Sequence, residues 1–221
     1  VNQVKQVTPA AVTVETRVNL SQQLQPYLNK ARLRQSAFSA AMALWGTAQG
    51  ASANPCLSAT QYGLACFVGN GWSQLIDYNH PAVVSLETDN QKYFGVIVSY
   101  DGQDQVLLQL HDQQMQVDKS WLLQHWTGDF TVLWQPPTNF NQYLKLGDVG
   151  AGVASLSQLL NQHYQRSEVQ VNTFDVELER LVKNFQFDNQ LTVDGIVGAK
   201  TMIALQVTTS QQGPVLVKEQ G

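Results

Sequence analysis

The segment FQFDNQLTVDGIVGAKTMIAL, residues 185–205, constrains the fold of this chain more than any other. An amphipathic stretch ends there, the chain turns through Gly195 and Gly198, and a helical pattern then resumes. Glycine tolerates the backbone angles of a tight corner, and the carboxylate of Asp194 can accept backbone N–H bonds across the turn. Thr201 stands near the start of the last helix. The segment therefore predicts two helices joined at a rigid corner.

The chain on both sides of this corner reads as helical from residue 143 to residue 208. Three stretches carry the pattern: GDVGAGVASLSQLLNQ, VELERLVKNFQFDNQ and AKTMIALQ. The first two have apolar residues on one side, which we expect to face a common core: Val153, Leu156, Leu160, Leu178, Val182 and Phe185. A bundle this small lies near the limit of stability, so it needs corners that let its helices approach closely.

The first half of the chain predicts an α+β domain over residues 20–137. Helical stretches are LSQQLQPYLNKARLRQSAFSAAMALWG, ending at Gly46, then GWSQLIDYN, and DKSWLLQHWTGDF, ending at Gly128. The strand patterns are HPAVVSLETDN, KYFGVIVSYDGQDQVLLQL, QMQV and FTVLWQ. Turns at Asp89-Asn90 and Asp101-Gly102 predict an antiparallel meander of the strands up to QMQV, and FTVLWQ closes the unit as its last strand.

The boundary between the two halves is marked by Pro136 and Pro137, followed by the polar TNFNQ. Prolines cannot join a central ladder and often begin a linker, so residues 138–142 are the predicted linker. Residues 1–19 read as a tail or an added strand, and residues 209–221 as a C-terminal tail.

Composition excludes several classes of function. Charged residues make up 14% of the chain and the net charge is -4, so no strong field exists to attract nucleic acid. No run of 18 apolar residues occurs, and the start resembles neither a signal peptide nor an initiator region. We expect a soluble piece of a longer protein, with any membrane anchor upstream. The four histidines lack the spacing of a metal site, and no cofactor is predicted.

The two cysteines, Cys56 and Cys66, are flanked by turn-forming residues. A disulfide between them is the favoured interpretation and would require an oxidising compartment such as a bacterial periplasm. Two buried free thiols are the alternative, and the spacing is wrong for a metal site.

The second half resembles the peptidoglycan-binding three-helix repeat. The matching positions are Leu144 or Leu146, then Gly147, Gly150, Val153, Leu156, Val182, Phe185, Gln186, Asp194, Gly195, Gly198 and Thr201. The resemblance implies that Gly147, Gly150, Gly195 and Gly198 hold the corner. Contact with peptidoglycan is then expected from polar residues around a groove: Asp148, Arg180, Lys183, Gln186, Asp194 and Thr201. Gln190 departs from the family, which carries a glycine there, so we expect a strained turn.

The first half resembles the papain-like fold of the C39 cysteine peptidases. A working member would have a cysteine at the start of the helix that ends in Trp45-Gly46 and a histidine at the start of a central strand. Here residues 33–36 contain no cysteine, Tyr93 stands in the histidine position, and Asp112 lies near the third position. The resemblance therefore implies a pseudo-peptidase without catalytic residues.

The two halves together resemble the periplasmic region of the general secretion pathway protein A family of type II secretion. That resemblance implies a non-catalytic periplasmic module that binds peptidoglycan and supports assembly of a secretin. Possible partners are the secretin and an inner-membrane assembly protein, and an oligomer is possible. The full-length parent would add a cytoplasmic ATPase and one membrane helix upstream, so contact with the membrane would come only through that segment.

Two other functions remain open from the sequence. One is a periplasmic cysteine peptidase or cell-wall hydrolase that the C-terminal repeat delivers to its substrate. The other is an oligomerisation domain whose repeat has lost its ligand.

Overall fold

The computed structural model describes residues 20–47, 52–167, 169–209 and 213–217. The predicted segment 1–19 and most of the predicted tail lie outside these ranges. The helices are α1 (Leu20–Leu28), α2 (Arg34–Leu44), α3 (Pro55–Thr60), α4 (Trp72–Tyr78), α5 (Lys119–His125), α6 (Ala151–His163), α7 (Val176–Asp188) and α8 (Ala199–Thr209). The strands are β1 (Ala65–Asn70), β2 (Ala82–Thr88), β3 (Gln91–Tyr100), β4 (Gln105–Leu110), β5 (Gln113–Asp118), β6 (Trp126–Trp134), β7 (Tyr143–Leu144) and β8 (Val197–Gly198). The predicted α+β class is confirmed.

The first half is built on one six-stranded antiparallel sheet with the order β1-β6-β2-β3-β4-β5. Strands β2 to β5 form the predicted meander. The predicted last strand, FTVLWQ, is part of β6, which lies between β1 and β2 in the sheet, and β1 was not predicted. The residues from Phe130 to Trp134 are all buried, because β6 has a strand on each side and cover on both faces.

Each face of this sheet packs against its own helices. On one face Phe38 and Met42 of α2 meet Val83, Val96 and Leu133. On the other face α1, α4 and α5 contribute apolar side chains to a larger core. Neighbouring residues of β2 divide between the two cores, as the alternation of side chains along a strand requires.

Helix α5 is shorter than predicted. It ends at His125 rather than at Gly128, and Trp126 already begins β6 opposite Leu86. The indole Nε1 of Trp126 donates to the carbonyl of Asp129 at 2.8 Å. Pairing with β2 therefore overrides the helical pattern of this stretch.

The second half contains the three predicted helices and one element that was not predicted. Strands β7 and β8 pair Tyr143 with Gly198 and Leu144 with Val197. This pairing ties the chain before α6 to the corner before α8. All six predicted core residues are buried: Val153, Leu156, Leu160, Leu178, Val182 and Phe185.

The two halves pack against each other. Helix α4 of the first half contacts α8 of the second, and the Gln206 side chain donates to the carbonyl of Gln135 at 3.1 Å. Buried side chains of both halves belong to one continuous core.

Residues 213–217 lie against the first half. Leu216 is fully buried, and its carbonyl accepts a hydrogen bond from the backbone N–H of Tyr100 at 2.8 Å. The backbone N–H of Val217 donates to the side-chain oxygen of Asn79 at 2.7 Å. This part of the predicted tail is thus an ordered strap.

Within the described ranges, no helix combines the length and the apolar character that crossing a bilayer requires.

Candidate functional site

The two cysteines form the predicted disulfide. Cys56 lies in α3 and Cys66 in β1, and their sulfur atoms are 2.03 Å apart. The bond ties α3 to the edge strand of the sheet, beside the core formed by α2. Both cysteines of the chain are used in it.

A buried glutamine organises the glycine corner. Only 1% of Gln186 is exposed. Its Nε2 donates to Oδ1 of Asp194 and to the carbonyl of Ile196, both at 2.9 Å, and lies 3.4 Å from Oγ1 of Thr201. Its Oε1 accepts from the backbone N–H of Gly195 at 2.9 Å. One amide therefore joins α7, the corner and the start of α8.

Asp194 closes the corner as the sequence predicts. Its Oδ1 also accepts a hydrogen bond from the backbone N–H of Ile196 at 2.8 Å, while the residue stays exposed. Thr201 is buried in the first turn of α8. Three of the predicted ligand-binding residues thus form one hydrogen-bonded cluster, of which Asp194 reaches the surface.

The two glycines of the corner differ in what they require. Gly195 has φ +76°, and a Cβ there would lie 2.8 Å from Cε of Lys183 and 3.0 Å from Cγ of Glu179. Gly198 lies outside the left-handed region, and a Cβ there would meet nothing within 4 Å. Of these two positions, only 195 requires glycine for its backbone angle and its packing. The surface beside Gly198 is open.

Lys183 lies across the corner from Gly195. Its Nζ is 3.0 Å from Oε1 of Glu179, one helical turn earlier. This ion pair covers the outer side of the corner and holds the lysine near the surface.

Arg180 pairs with an acidic residue of its own helix. Its guanidinium makes two hydrogen bonds to the carboxylate of Glu177, at 2.6 and 3.0 Å, and Arg166 adds a second cation. The hydrogen bonds from Arg180 lower the pKa of Glu177 below its usual range.

Asp148 lies in the turn before α6. Its Oδ2 accepts from the backbone N–H of Lys145 at 2.9 Å, and its carbonyl accepts from Phe174. Gly147 and Gly150 flank it with φ +93° and +127°. These two glycines permit a turn whose N–H groups bond to the segment before α7.

Gln190 takes the strained conformation that the sequence predicts. Its φ is +54°, in the left-handed region where the related repeat has glycine. The strained backbone lies two residues after the end of α7, on the side that faces the first half of the chain.

Sequence reasoning missed an exposed surface beside Gly198. Tyr143, the partner of Gly198 in the small sheet, is exposed, and so are Leu146 and Ile196. The ammonium group of Lys145 lies 5.6 Å from the Tyr143 ring. The alternation in YLKL was the available signal, because it places Tyr143 and Lys145 on the same side of a strand.

The peptidase-like positions lie around the start of α2. Leu33 immediately precedes this helix and is 62% exposed. The backbone N–H of Phe94 donates to the carbonyl of Ala31 at 2.7 Å, which holds β3 beside this loop. Tyr93, in the histidine position, is 2% exposed, and its hydroxyl donates to Oε1 of Gln91 at 3.0 Å.

Asp112, near the third position, is exposed in the turn between β4 and β5. Its Oδ1 lies 3.0 Å from Nδ1 of His111. The hydrogen bond from His111 lowers the pKa of this carboxyl. The carboxylate therefore pairs with its own neighbour in the turn.

A papain-like α+β domain joined to a three-helix unit with a glycine corner defines the class of this protein. Residues 23–136, just over half of the chain, match the family described as "GspA, peptidase C39-like domain". The chain belongs to this family. Residues 149–205 match the family described as "Putative peptidoglycan binding domain".

Two curated relatives cover most of the chain. A "General secretion pathway protein A" of Aeromonas hydrophila is 29% identical over 210 residues, which are 94% of this chain and 38% of the relative. A "Putative general secretion pathway protein A" of Escherichia coli (strain K12) is 28% identical over 170 residues, or 76% of this chain and 35% of the relative. The chain thus spans less than two fifths of the length of these relatives.

A solved structure has a similar fold over most of its length. The periplasmic domain of the EpsAB fusion protein of the Vibrio vulnificus type II secretion system is 26% identical. It aligns with a TM-score of 0.60 over 85% of this chain and 83% of that chain.

Proposed function

We propose that this chain is a non-catalytic periplasmic module that binds peptidoglycan and supports the assembly of a type II secretion secretin. The observation that carries the proposal is the hydrogen-bonded corner around Gln186, with the open surface at Gly198 beside it. A fixed corner presents its polar groups without a further ordering cost when a ligand binds. The kinship with secretion pathway proteins supports the cellular role.

The role of each predicted contact follows from its burial. Gln186 and Thr201 are buried within the corner, so we assign them to positioning. Asp194 and Lys183 lie at the surface of the corner and remain proposed contacts with ligand, as do Asp148 and Arg180. Tyr143 and Lys145 extend this surface with an aromatic ring and a cation.

The absence of peptidase chemistry is part of the same proposal. A cysteine peptidase needs a thiolate with an imidazole beside it. Leu33 and Tyr93 supply neither group, and Cys56 and Cys66 are bonded to each other. The peptidase or hydrolase alternative therefore has no nucleophile at the inherited position.

Sedimentation with purified peptidoglycan sacculi tests the binding. The intact chain should sediment with the sacculi, and Gly198→Val should sediment less, because a Cβ at this position meets nothing within 4 Å and the added side chain would occupy the open surface. Leu57→Ala, an exposed substitution in the first half, is the matched control. Equal sedimentation of all three chains would show that the corner is not the binding element.

Two further measurements separate the rest of the proposal. Release of soluble fragments from sacculi by the purified chain would contradict the non-catalytic role. In cells that carry the full-length protein, Gly198→Val should lower the amount of assembled secretin multimer, whereas Leu57→Ala should not. Unchanged multimer with reduced sacculus binding would uncouple wall binding from secretin assembly.

A further inference from the structure

The chain passes between its two halves twice. It leaves the first half after β6, through residues 135–142, and it returns to the first half after α8, where the strap at residues 213–217 lies. Two domains that share a small interface and a single linker ordinarily move relative to each other. A second attachment removes that freedom. The strap is therefore the second of the two connections that can hold the halves in one orientation.

The strap is held through its backbone. The N–H of Leu216 donates to the carbonyl of Asn79 at 3.0 Å, and the carbonyl of Leu216 accepts from the N–H of Tyr100 at 2.8 Å. The side chain of Asn79 bonds to both backbone groups of Val217: its Oδ1 accepts from the N–H at 2.7 Å, and its Nδ2 donates to the carbonyl at 3.4 Å. All four backbone polar groups of Leu216 and Val217 are thus bonded to the first half.

Side-chain contacts fix the position of the strap as well. Leu216 is fully buried and belongs to the core. At the other end, Gly213 lies so close to Trp45 that a Cβ there would be 2.2 Å from Cζ3 of the indole, and its φ is +82°. Between these two ends, the carbonyl of Pro214 accepts from the ring of His80 at 3.0 Å. The seat therefore requires glycine at one end of the strap and a leucine-sized apolar side chain near the other.

Helix α4 takes part in both contacts that the returning chain makes. It packs against α8, which is the main contact between helices or strands of different halves in the described ranges. Asn79, which caps the C-terminal end of α4, holds the strap. The second half therefore grips α4 at two places, with α8 along its side and with the strap at its end.

The other contacts between the halves lie close to the linker or border a cleft. A cleft of about 700 Å³ opens beside the contact of α4 with α8, and the end of α7 lines its far side. The hydrogen bond from Gln206 to the carbonyl of Gln135 is made at the linker, where Phe140 also packs against Trp134 with ring centroids 5.8 Å apart. Contacts near a hinge resist rotation about it less than contacts far from it, so the strap has the greater leverage.

We propose that the strap is a clasp: when it is seated on Asn79 and Tyr100 it holds the two halves in one orientation, and its release leaves two folded halves that move about the linker. A short segment held by one buried leucine and a few hydrogen bonds opens at lower cost than the core of a domain. The open state would let the glycine corner swing relative to the first half. The inference does not depend on what the corner binds.

The test is NMR relaxation of backbone amides in the full chain. Leu216→Asp puts a carboxylate into the buried seat, and Gly213→Val independently brings a side chain against Trp45, so each variant should release the strap. The unmodified chain should show one rotational correlation time for both halves. In each variant, the time fitted to residues 150–205 should fall about 1.5- to 2-fold below that of the first half, because a small domain on a flexible linker tumbles faster. Val215→Thr, a substitution of similar shape at a half-buried strap position, should behave as the unmodified chain does.

The amide signal of Tyr100 reports whether the strap is seated, because this N–H donates to Leu216. If the signal shifts in the variants while both halves keep a common correlation time, the contact of α4 with α8 alone fixes the orientation and the clasp is refuted. An unshifted Tyr100 signal in both variants would also contradict it, since the seat would then need neither Leu216 nor Gly213. The amide signals of Gln186 and Gly195 should keep their positions. Their loss in both variants would mean that the strap is needed for folding and not for orientation.

Discussion

The backbone N–H of Gly195 donates a 2.9 Å hydrogen bond to Oε1 of Gln186, which lies nine residues earlier in α7. Nε2 of the same Gln186 side chain donates to Oδ1 of Asp194 and to the carbonyl of Ile196. The glycine corner therefore takes its shape from a side chain of the preceding helix as well as from its own backbone.

Replacement of Gln186 by leucine should destabilise the second half. The substitution keeps the volume but leaves the N–H of Gly195 and the carbonyl of Ile196 without their partner in a buried site. We expect a loss of ~2–4 kcal/mol in the free energy of unfolding, the cost of one or two buried groups left unsatisfied. Urea denaturation followed by circular dichroism measures it.

A second variant at the same position and a control on α6 show whether the loss comes from the buried amide. Gln186→Glu has nearly the same shape but sets a carboxylate against Asp194, so it too should destabilise, and more so at neutral pH than at pH 4. Gln158→Leu, on the exposed side of α6, should change the free energy by less than ~0.5 kcal/mol. Equal stability of Gln186→Leu and Gln158→Leu would mean that the buried amide does not hold the corner.

The glycines at 195 and 198 should respond differently to alanine. Gly195→Ala combines a positive φ with contacts to Lys183 and Glu179, and we expect it to cost at least ~1–2 kcal/mol. Gly198→Ala meets no neighbour within 4 Å and should change the free energy of unfolding little. Thermal unfolding of the two variants side by side measures the difference. Similar melting temperatures would contradict the geometric distinction.

Reduction of the Cys56–Cys66 bond should destabilise the first half. The cross-link closes a loop with a sequence separation of 10, for which chain entropy gives ~2.5–3 kcal/mol. Unfolding in urea with and without dithiothreitol should show this loss. The double variant Cys56→Ser, Cys66→Ser should be insensitive to the reductant, and a wild-type chain that is equally insensitive would contradict the prediction.

The strap at residues 213–217 should make stability depend on pH through His80. This ring is buried beside Trp45, and its Nδ1–H donates to the carbonyl of Pro214 at 3.0 Å. Burial lowers the pKa of His80 below its usual ~6.5, and the hydrogen bond to Pro214 opposes this shift only in part. The folded state therefore prefers neutral histidine.

The sign of the effect follows from proton binding. Between the lowered folded pKa and ~6.5, the unfolded chain binds more protons than the folded chain, so stability rises with pH in this window. We expect the free energy of unfolding to fall as pH drops from 7 to 5, and this slope to shrink in His80→Gln.

An exposed histidine provides the control for this prediction. His111→Asn lies in a turn at φ +55°, which asparagine tolerates, and its partner Asp112 has a pKa lowered away from the pH 5–7 window, so this variant should keep the slope of the unmodified chain. An unchanged slope in His80→Gln would remove His80 as the titrating group.

Local features of this protein could be predicted from the sequence alone. The corner at Asp194 and Gly195 and the six core positions of α6 and α7 follow from backbone preferences or from the helical period, whereas the strained turn of Gln190 was predicted from the resemblance to the repeat. Backbone preferences and the helical period depend only on residues that are close together along the chain. The disulfide was the favoured interpretation because the chain has only two cysteines and turn-forming residues flank both.

The site was predicted less completely than the fold. The spacing of Gln186 identified it as a family position, but its burial and its place inside the corner depend on how α7 packs against α8. The open surface at Gly198 likewise appears only when β7 pairs with β8. Contacts of this kind join residues that are far apart in sequence, and no local pattern specifies them.

The sequence by itself determined most of the helices and turns, the residues of the second half that face its core, and the family motifs that the chain carries. Only the tertiary structure decided that β6 inserts between β1 and β2, that Leu216 returns to the first half, and that a cleft opens between Tyr78 and Gln190. The physical reason is that backbone preference and hydrophobic period act over one or two turns of chain. Strand order and domain packing are instead decided by which complete surfaces bury the most apolar area together.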